Sequence, residues 1–239
     1  MCDASHETRH ERTASLAMHR HRAAYVALVV DGSHVEASAD GAWDCEPGTL
    51  VVHPPWHAHG NRFGRHGARV LNVTLPDADV HDLRVLRTHD AREAREVLSR
   101  APARIAELLD ASSPLPLRPL RDWQRPFLES LVRSDLPVGR IAADLGVSFA
   151  HASRSFARSH GLSPQALRGE LRWRRALAAL TGDEPLAAVA GAAGYADQSH
   201  MTRAFRARTG VPPARLRRQL KSVQDAAGAS LLQSAPYAA

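Results

Sequence analysis

Residues 194–213 read GYADQSHMTRAFRARTGVPP, and residues 146–164 read GVSFAHASRSFARSHGLSP. Each stretch contains Arg-x-Phe and then, at the same distance, Gly-x-x-Pro; the glycines that open the stretches align once the later copy has one extra turn residue. A glycine after a short helix adopts the left-handed conformation that stops it, and Ser148 and Asp197 are residue types that cap the next helix. The repeat therefore predicts two helix-turn-helix units, at residues 138–160 and 185–209.

The second helix of each predicted unit combines one large apolar residue with many hydrogen-bond donors. Phe156 and Phe205 fall on the side that faces the protein, so the first turns of each helix expose polar residues. A helix of this kind fits the major groove of B-DNA, which is about 12 Å wide. The residues predicted to contact DNA are His151, Ser153, Arg154 and Arg158 in the first unit, and Gln198, Ser199, His200, Thr202 and Arg203 in the second.

The net charge of the chain, +6, is unevenly distributed. Between Arg118 and Lys221 there are 18 basic and eight acidic residues, so this half carries +10 and the rest of the chain −4. A basic surface of this size favours a polyanionic partner. The same half has helical periodicity throughout, with helices predicted at 123–133, 138–145, 149–160, 164–180, 185–193, 198–208 and 213–220.

The N-terminal half has a different pattern. Short apolar or alternating runs at 25–30, 34–38, 50–53 and 70–75 are separated by turn residues such as Asp31-Gly32-Ser33, which predicts an antiparallel sheet folded into a small barrel or sandwich. Residues 91–109 have helical spacing interrupted at Pro102. They predict a pair of helices that either covers the sheet or forms a homodimer contact.

A chain of 239 residues is long enough for two domains. We expect a multidomain protein with a sensor domain at 1–112, a Pro-rich linker at 113–121, a DNA-binding domain at 122–221 and a disordered tail at 222–239. The sequence contains neither an apolar run of about 20 residues nor a signal peptide, which predicts a cytoplasmic protein with no membrane partner. Cys2 and Cys45 lack the spacing of a metal or redox motif, so we expect two reduced thiols.

The stretch from Gly194 to Arg218 resembles the signature of the AraC/XylS family of transcriptional regulators, in which a Gly-aromatic turn leads into Asp-Gln-Ser-His, then Arg-x-Phe, then Gly-x-x-Pro. The resemblance implies an all-α domain with two helix-turn-helix subdomains joined by a long helix. It also implies promoter DNA as a partner, and RNA polymerase as a further partner if the protein is an activator. The family's base- and phosphate-contacting positions fall at Ala150, Ser153 and Arg154 in the first unit, and at Ser199, His200 and Arg203 in the second.

The chain departs from this family at two positions. Members usually carry a larger apolar residue at the place of Ala152 and an aromatic residue at the place of Met201. Because Ala150 and Ala152 are small, we expect the first recognition helix to read few bases directly. Arg154 and Arg203 are the strongest predicted contacts, since arginine forms two hydrogen bonds with a guanine edge.

The stretch from Glu46 to His59 resembles part of the cupin-like sensor domains found in many AraC-type regulators, where a Pro-Gly turn precedes an apolar strand and a Pro-Pro stretch leads to a His. The resemblance implies an all-β cupin-like barrel with flanking helices. We interpret Trp56, His57 and His59 as the rim of a pocket for an unidentified small-molecule effector.

The histidines of this stretch also have the spacing of metal ligands. Alternate residues of a strand share a face, so His53, His57 and His59, with His66 nearby, form a set that suits zinc, iron, copper or nickel. Enzyme cupins place an acidic ligand a few residues later, and residues 60–65 contain no carboxylate. We therefore predict no cofactor and leave open a metal ion, an organic ligand and no ligand.

The leading hypothesis is a sequence-specific transcription factor of the AraC type that responds to an effector and is not an enzyme. One alternative is a metal-dependent cupin enzyme domain fused to a DNA-binding module. Another is an architectural DNA-binding protein whose N-terminal half only dimerises. The three differ in what the N-terminal half binds.

Overall fold

The computed structural model describes residues 5–75 and 80–221. Cys2 and the predicted tail at 222–239 lie outside these residues. The chain divides into two compact units, with the boundary between Leu167 and Arg168.

The first unit contains an antiparallel sheet, which confirms the prediction for the N-terminal half. The order across the sheet is β1-β6-β3-β5-β7-β8, with β2 paired to β6 and β4 to β3. A closed cupin-like barrel stays a prediction. Among the described residues the strands are β1 Ser5–His10, β2 Ser15–Arg20, β3 Ala24–Ser38, β4 Gly41–Cys45, β5 Thr49–His53, β6 Ala58–Leu75, β7 Arg84–Arg87 and β8 Ser113–Pro114.

The long strands β3 and β6 pair along most of their length and bend together. Their register shifts on both sides of Gly32, as at β-bulges, which bend a strand. Gly32 has φ +72°, and a Cβ there would lie 2.1 Å from the carbonyl oxygen of Gly67, so this approach requires glycine. The prediction that residues 31–33 form a turn between two strands was wrong, because the same glycine serves as a bend inside one continuous strand.

Alternate residues of the central strands face two separate cores. One core lies between the sheet and two helices, α1 Ala91–Arg100 and α2 Ile105–Asp110, separated by a 3-10 turn at Pro102–Arg104. The predicted helical pair is confirmed in its covering role, and a dimer contact stays a prediction. This core contains Val26, Leu28, Leu50, Val52, Leu71, Val73, Leu86, Val97, Leu98, Leu108 and Leu109. The other core contains Ala27, Val29, Trp43, Cys45, Val51, Phe63, Val70 and Val85.

The residues predicted to form the linker begin as part of the sheet. β8 pairs with β7 at the sheet edge. Beyond it, the N–H of Leu115 donates to the carbonyl oxygen of Val85 at 2.8 Å, and that of Arg118 to Ala42 at 2.8 Å. A domain boundary at 113–121 stays a prediction.

The helices predicted for the C-terminal half are confirmed with small shifts of their ends. None of the described helices has both the length and the apolar composition to cross a bilayer. Helix α6 contains the boundary between the two units, so one helix-turn-helix belongs to each unit. The helices are α3 Gln124–Arg133, α4 Val138–Asp144, α5 Phe149–Ser159, α6 Pro164–Ala179, α7 Leu186–Ala192 and α8 Gln198–Thr209, and residues 213–221 are also helical.

Candidate DNA interface and histidine cavity

In the first helix-turn-helix, a tight turn joins α4 to α5. The N–H of Val147 donates to the carbonyl oxygen of Ala142 at 3.0 Å, and Gly146 has φ +67°. A left-handed glycine with this bond is a common way to stop a helix. The Ser148 hydroxyl then accepts a hydrogen bond from the N–H of His151 at 3.2 Å and caps α5. Both roles expected from the sequence are confirmed.

The turn between α7 and α8 repeats this geometry in the second unit. The N–H of Tyr195 donates to the carbonyl oxygen of Ala190 at 2.9 Å, and Gly194 has φ +84°. After one extra residue, the Asp197 carboxylate accepts a hydrogen bond from the N–H of His200 at 2.6 Å. The two copies thus share both the backbone bond that ends the first helix and the side-chain cap that starts the second.

A buried phenylalanine on each recognition helix packs against aromatic rings of other helices. The ring of Phe156 on α5 lies 4.9 Å from that of Phe127 and 5.9 Å from that of Trp123, measured between centroids. On α8, the ring of Phe205 lies 5.8 Å from that of Trp173. Because these contacts bury one side of each helix, the opposite side is left to solvent.

The residues predicted to contact DNA lie on α5 and α8. None of them is buried. Seven are exposed: Ala150, Arg154, Arg158, Gln198, Ser199, His200 and Arg203. Three are half-buried: His151, Ser153 and Thr202. Their exposure suits a groove-facing role, and their contact with DNA stays a prediction.

The structure adds Phe149 to this surface. It is the first residue of α5 and is 55% exposed. An apolar ring at the start of a recognition helix suits contact with the C5-methyl group of thymine. Sequence reasoning missed it, because its spacing from Ala152 and Phe156 places it in line with the buried side of the helix.

A helix-turn-helix domain family matches residues 141–219, which contain both turns and both recognition helices. The chain carries an AraC-type helix-turn-helix domain. The helix-turn-helix is a DNA-binding motif. Among curated proteins, none matches this chain.

Three solved structures are similar to this chain. ToxT from Vibrio cholerae is 10% identical, covers 89% of this chain and 97% of its own, and superposes with a TM-score of 0.40. ToxT bound to an unsaturated fatty acid is 11% identical, with coverage of 89% and 94% and a TM-score of 0.39. The C-terminal domain of AraT, a response regulator from Geobacillus stearothermophilus, is 26% identical, with coverage of 43% and 88% and a TM-score of 0.40.

The first unit contains a cavity of about 330 Å³. Half of the chain's 14 histidines line it, so histidine makes up a much larger share of the lining than of the whole sequence. Among the described lining residues Glu36 is the only carboxylate, and it is 1% exposed. The lining histidines are His6, His10, His19, His21, His34, His53 and His59.

Of the residues predicted for the pocket rim, His59 lines this cavity and Trp56 and His57 do not. The Nε2 atom of buried His57 lies 3.2 Å from the Asp40 carboxylate. Trp56 is half-buried, and its carbonyl oxygen accepts a hydrogen bond from the Arg20 guanidinium at 3.1 Å. The three-residue rim stays a prediction.

Of the histidines with metal-ligand spacing, only some line the cavity. His53 lines the cavity with His59, whereas His66 is exposed and accepts a hydrogen bond from the neighbouring Arg65. The imidazole nitrogens of His53, His57 and His59 lie within 4.8 Å of one another.

A second group of imidazoles is equally close, and the sequence analysis did not find it. The ligand atoms of His19, His21 and His59 also lie within 4.8 Å of one another. Strands β2 and β6 place His19 opposite His59, and His21 follows directly after the last residue of β2. The available signal was the spacing of His19 and His21, which places both on one face of a strand.

Glu36 supplies the acidic group that residues 60–65 lack. It lies on β3 opposite Asn61, whose amide donates a hydrogen bond to its carboxylate. The Nε2 atoms of His34 and His53 lie 3.4 Å and 3.7 Å from its oxygens. The carboxylate comes from the adjacent strand, where only tertiary pairing can place it.

Burial sets the protonation states in this cavity. It raises the pKa of Glu36, but the hydrogen bond from His34 and the charge of the nearby histidines outweigh it, so the net pKa lies below its usual value. Burial lowers the pKa of His59 to about 4 and that of His53 well below its usual value. At neutral pH these two imidazoles are therefore neutral and have lone pairs for a ligand, beside an ionised carboxylate.

The same sheet contacts the C-terminal end of α5. The Arg62 guanidinium donates a hydrogen bond to the carbonyl oxygen of Arg158 at 2.9 Å. A Cβ on Gly161 would lie 2.9 Å from the Met18 side chain and 3.3 Å from Cβ of Ala37. The first recognition helix is therefore anchored on the strands that also form the cavity.

Proposed function

We propose that the protein is an effector-responsive transcription factor in which α5 and α8 each enter a major-groove segment of promoter DNA. The observation that carries this proposal is the pair of equivalent turns, each followed by a capped helix with an exposed polar side. In this function the protein binds and does not catalyse, and it acts in the cytoplasm because its partner is promoter DNA. RNA polymerase is a further partner if the protein is an activator.

The recognition residues have distinct roles in this proposal. Arg154 and Arg203 are exposed on α5 and α8, and each forms two hydrogen bonds with a guanine edge. Ser199 and His200 lie in the first turn of α8, and we propose that they contact DNA together with Arg203. The small side chain of Ala150 lets the backbone of α5 approach the duplex, which leaves that helix fewer direct base contacts.

The cavity in the first unit is the proposed effector site. Its histidine-bearing strand β6 also carries Arg62, the residue bonded to the end of α5. An effector that binds one arrangement of these strands more tightly shifts the population towards it. We propose that effector binding changes how the first recognition helix is held and thereby its engagement with DNA.

The DNA-binding proposal is tested by selecting ligands from a random duplex pool with the full-length protein, at about 150 mM salt to suppress nonspecific phosphate contacts. We expect a motif of two blocks separated by about one helical turn. Arg154→Ala or Arg203→Ala should then weaken binding to the selected duplex by about 1–3 kcal/mol, or roughly 5- to 150-fold. Arg92→Ala on α1 is the matched control, because it removes an exposed arginine from the covering helix and should change nothing.

Two results would contradict this assignment. One is unchanged specific binding in both recognition-helix variants at fixed salt. The other is an equal loss in all three arginine variants, which would indicate that only the total positive charge matters. Circular dichroism spectra of each variant show whether the fold is retained.

A further inference from the structure

We propose that the cavity binds one divalent transition-metal ion through the imidazoles of His19, His21 and His59, and that this ion is the effector. The site itself stands on the geometry of the first unit. Only its role as an effector rests on the proposed function.

The arrangement of the three ligands suits such an ion. Zinc–nitrogen bonds of about 2.1 Å in a tetrahedral site place the ligand nitrogens roughly 3.4 Å apart. The nitrogens of His19, His21 and His59 lie within 4.8 Å of one another, so small side-chain rotations complete the geometry. His59 is buried, His19 half-buried and His21 exposed, which provides a fixed inner ligand and a path for the ion to enter.

Backbone carbonyl groups orient two of the imidazoles. The Nδ1 atom of His19 lies 2.9 Å from the carbonyl oxygen of Ala17. The Nδ1 atom of His59 lies 3.4 Å from the carbonyl oxygen of His57. Donation from Nδ1 leaves the lone pair on Nε2, and such a carbonyl partner is typical of metal-binding histidines. The Tyr25 hydroxyl lies 2.9 Å from Nε2 of His59, within hydrogen-bond distance of this lone pair.

The charge of the cavity favours a cation. Glu36 is an ionised, buried carboxylate whose Oε1 accepts no hydrogen bond from any described residue. Arg22 is the only permanently charged cation among the described lining residues, and it is exposed. Asn61 and His34 donate hydrogen bonds to this carboxylate, but no buried, permanently charged cation among the described lining residues balances its charge, so a cation nearby stabilises the site.

The donor set narrows the kind of ion. Mg²⁺ and Ca²⁺ prefer oxygen ligands in number, whereas imidazole suits zinc, nickel, cobalt and copper. Seven histidines and one carboxylate among the described lining residues therefore favour a transition metal. The negative charge of Glu36 would repel an organic anion in this cavity.

The test is metal binding by the full-length protein after removal of any affinity tag and of bound metal with a chelator. Titration with Zn²⁺, Ni²⁺ and Co²⁺ should give one ion per chain, with visible absorption bands from bound Co²⁺. His59→Ala, His19→Ala and His21→Ala should each lower the affinity by at least about 10- to 100-fold, the range found when a neighbour of a ligand is removed. His66→Ala removes an exposed histidine of the same strand as His59 and should leave binding unchanged.

His21→Ala is the decisive variant, because an exposed side chain is replaced and the fold should persist. If His57→Ala abolishes binding and His21→Ala does not, the ion occupies the group of His53, His57 and His59, and the assignment is wrong. Failure of the wild-type protein to bind a stoichiometric ion overturns the proposal as a whole.

A second arm separates this proposal from the proposed function. Affinity for the selected duplex is measured with and without the ion, in the wild type and in His21→Ala. A change of about tenfold or more in the wild type alone, equivalent to about 1.4 kcal/mol of coupling, supports the ion as effector. Bound metal with unchanged DNA affinity refutes the effector role. An enriched DNA motif in a protein that binds no metal refutes the site and leaves the DNA-binding function standing.

Discussion

The buried imidazole of His160, directly after α5, makes the stability of the first unit depend on pH. His160 is 1% exposed, and burial lowers its pKa from 6.5 to about 4, although the nearby Asp40 carboxylate acts in the opposite direction. Because the folded-state pKa is the lower one, the unfolded chain binds the proton more tightly. The stabilisation is therefore complete above pH 6.5 and is lost as the pH falls towards 4.

The size of this effect follows from the shift. A change from 6.5 to about 4 corresponds to about 3 kcal/mol in total at about 1.4 kcal/mol per pKa unit. Between about pH 7.5 and about pH 5 the loss from this residue is about 2 kcal/mol.

The assay is urea unfolding of the wild type and of His160→Gln at these two pH values, followed by circular dichroism. Glutamine keeps a polar partner for the Ser159 hydroxyl, which lies 2.8 Å from Nδ1 of His160, but does not titrate. The other histidines are present in both proteins, so their contributions cancel in the comparison. We expect the wild type to lose about 2 kcal/mol more than the variant on acidification. Equal losses in the two proteins would refute the reasoning.

Three further changes should alter stability. Asp197→Ala removes the cap of α8 and should lower the free energy of unfolding by about 1 kcal/mol in a urea titration, whereas Asp183→Ala, exposed before α7, should cost less. Leu98→Ala leaves a cavity between α1 and the sheet and should cost about 2–5 kcal/mol; a loss below about 1 kcal/mol in urea titration would mean that this core is loosely packed. Gly32→Ala places a methyl group against the Gly67 carbonyl in left-handed backbone and should cost well over about 1 kcal/mol; a melting temperature equal to that of the wild type would exclude the tight bend.

The helices and their ends could be predicted from the sequence because their determinants are local. Gly146 and Gly194 stop a helix through their own backbone conformation, and Ser148 and Asp197 bond to the N–H three residues later. For the same reason the repeat is recognisable from the sequence alone.

The sheet was predicted less completely. Strands β1, β2, β4 and β7 went unrecognised, because their stability comes from neighbouring strands and their own residues lack a regular apolar alternation. The bend at Gly32 depends on the approach of Gly67, a residue far away in the chain. A turn and a bulge use the same residue type, so the local sequence cannot separate them.

The two candidate sites differ in the same way: one depends on local sequence and the other on strand pairing. By itself the sequence determined the two helices proposed to read DNA and their exposed residues, since each set lies within one helix and its spacing alone puts its members on one side. Only the tertiary structure decided the cavity: β2 and the residue that follows it bring His19 and His21 beside His59 of β6, and the neighbouring strand β3 adds Glu36. Strand pairing creates proximity between residues distant in sequence, and no local pattern encodes the register that brings them together.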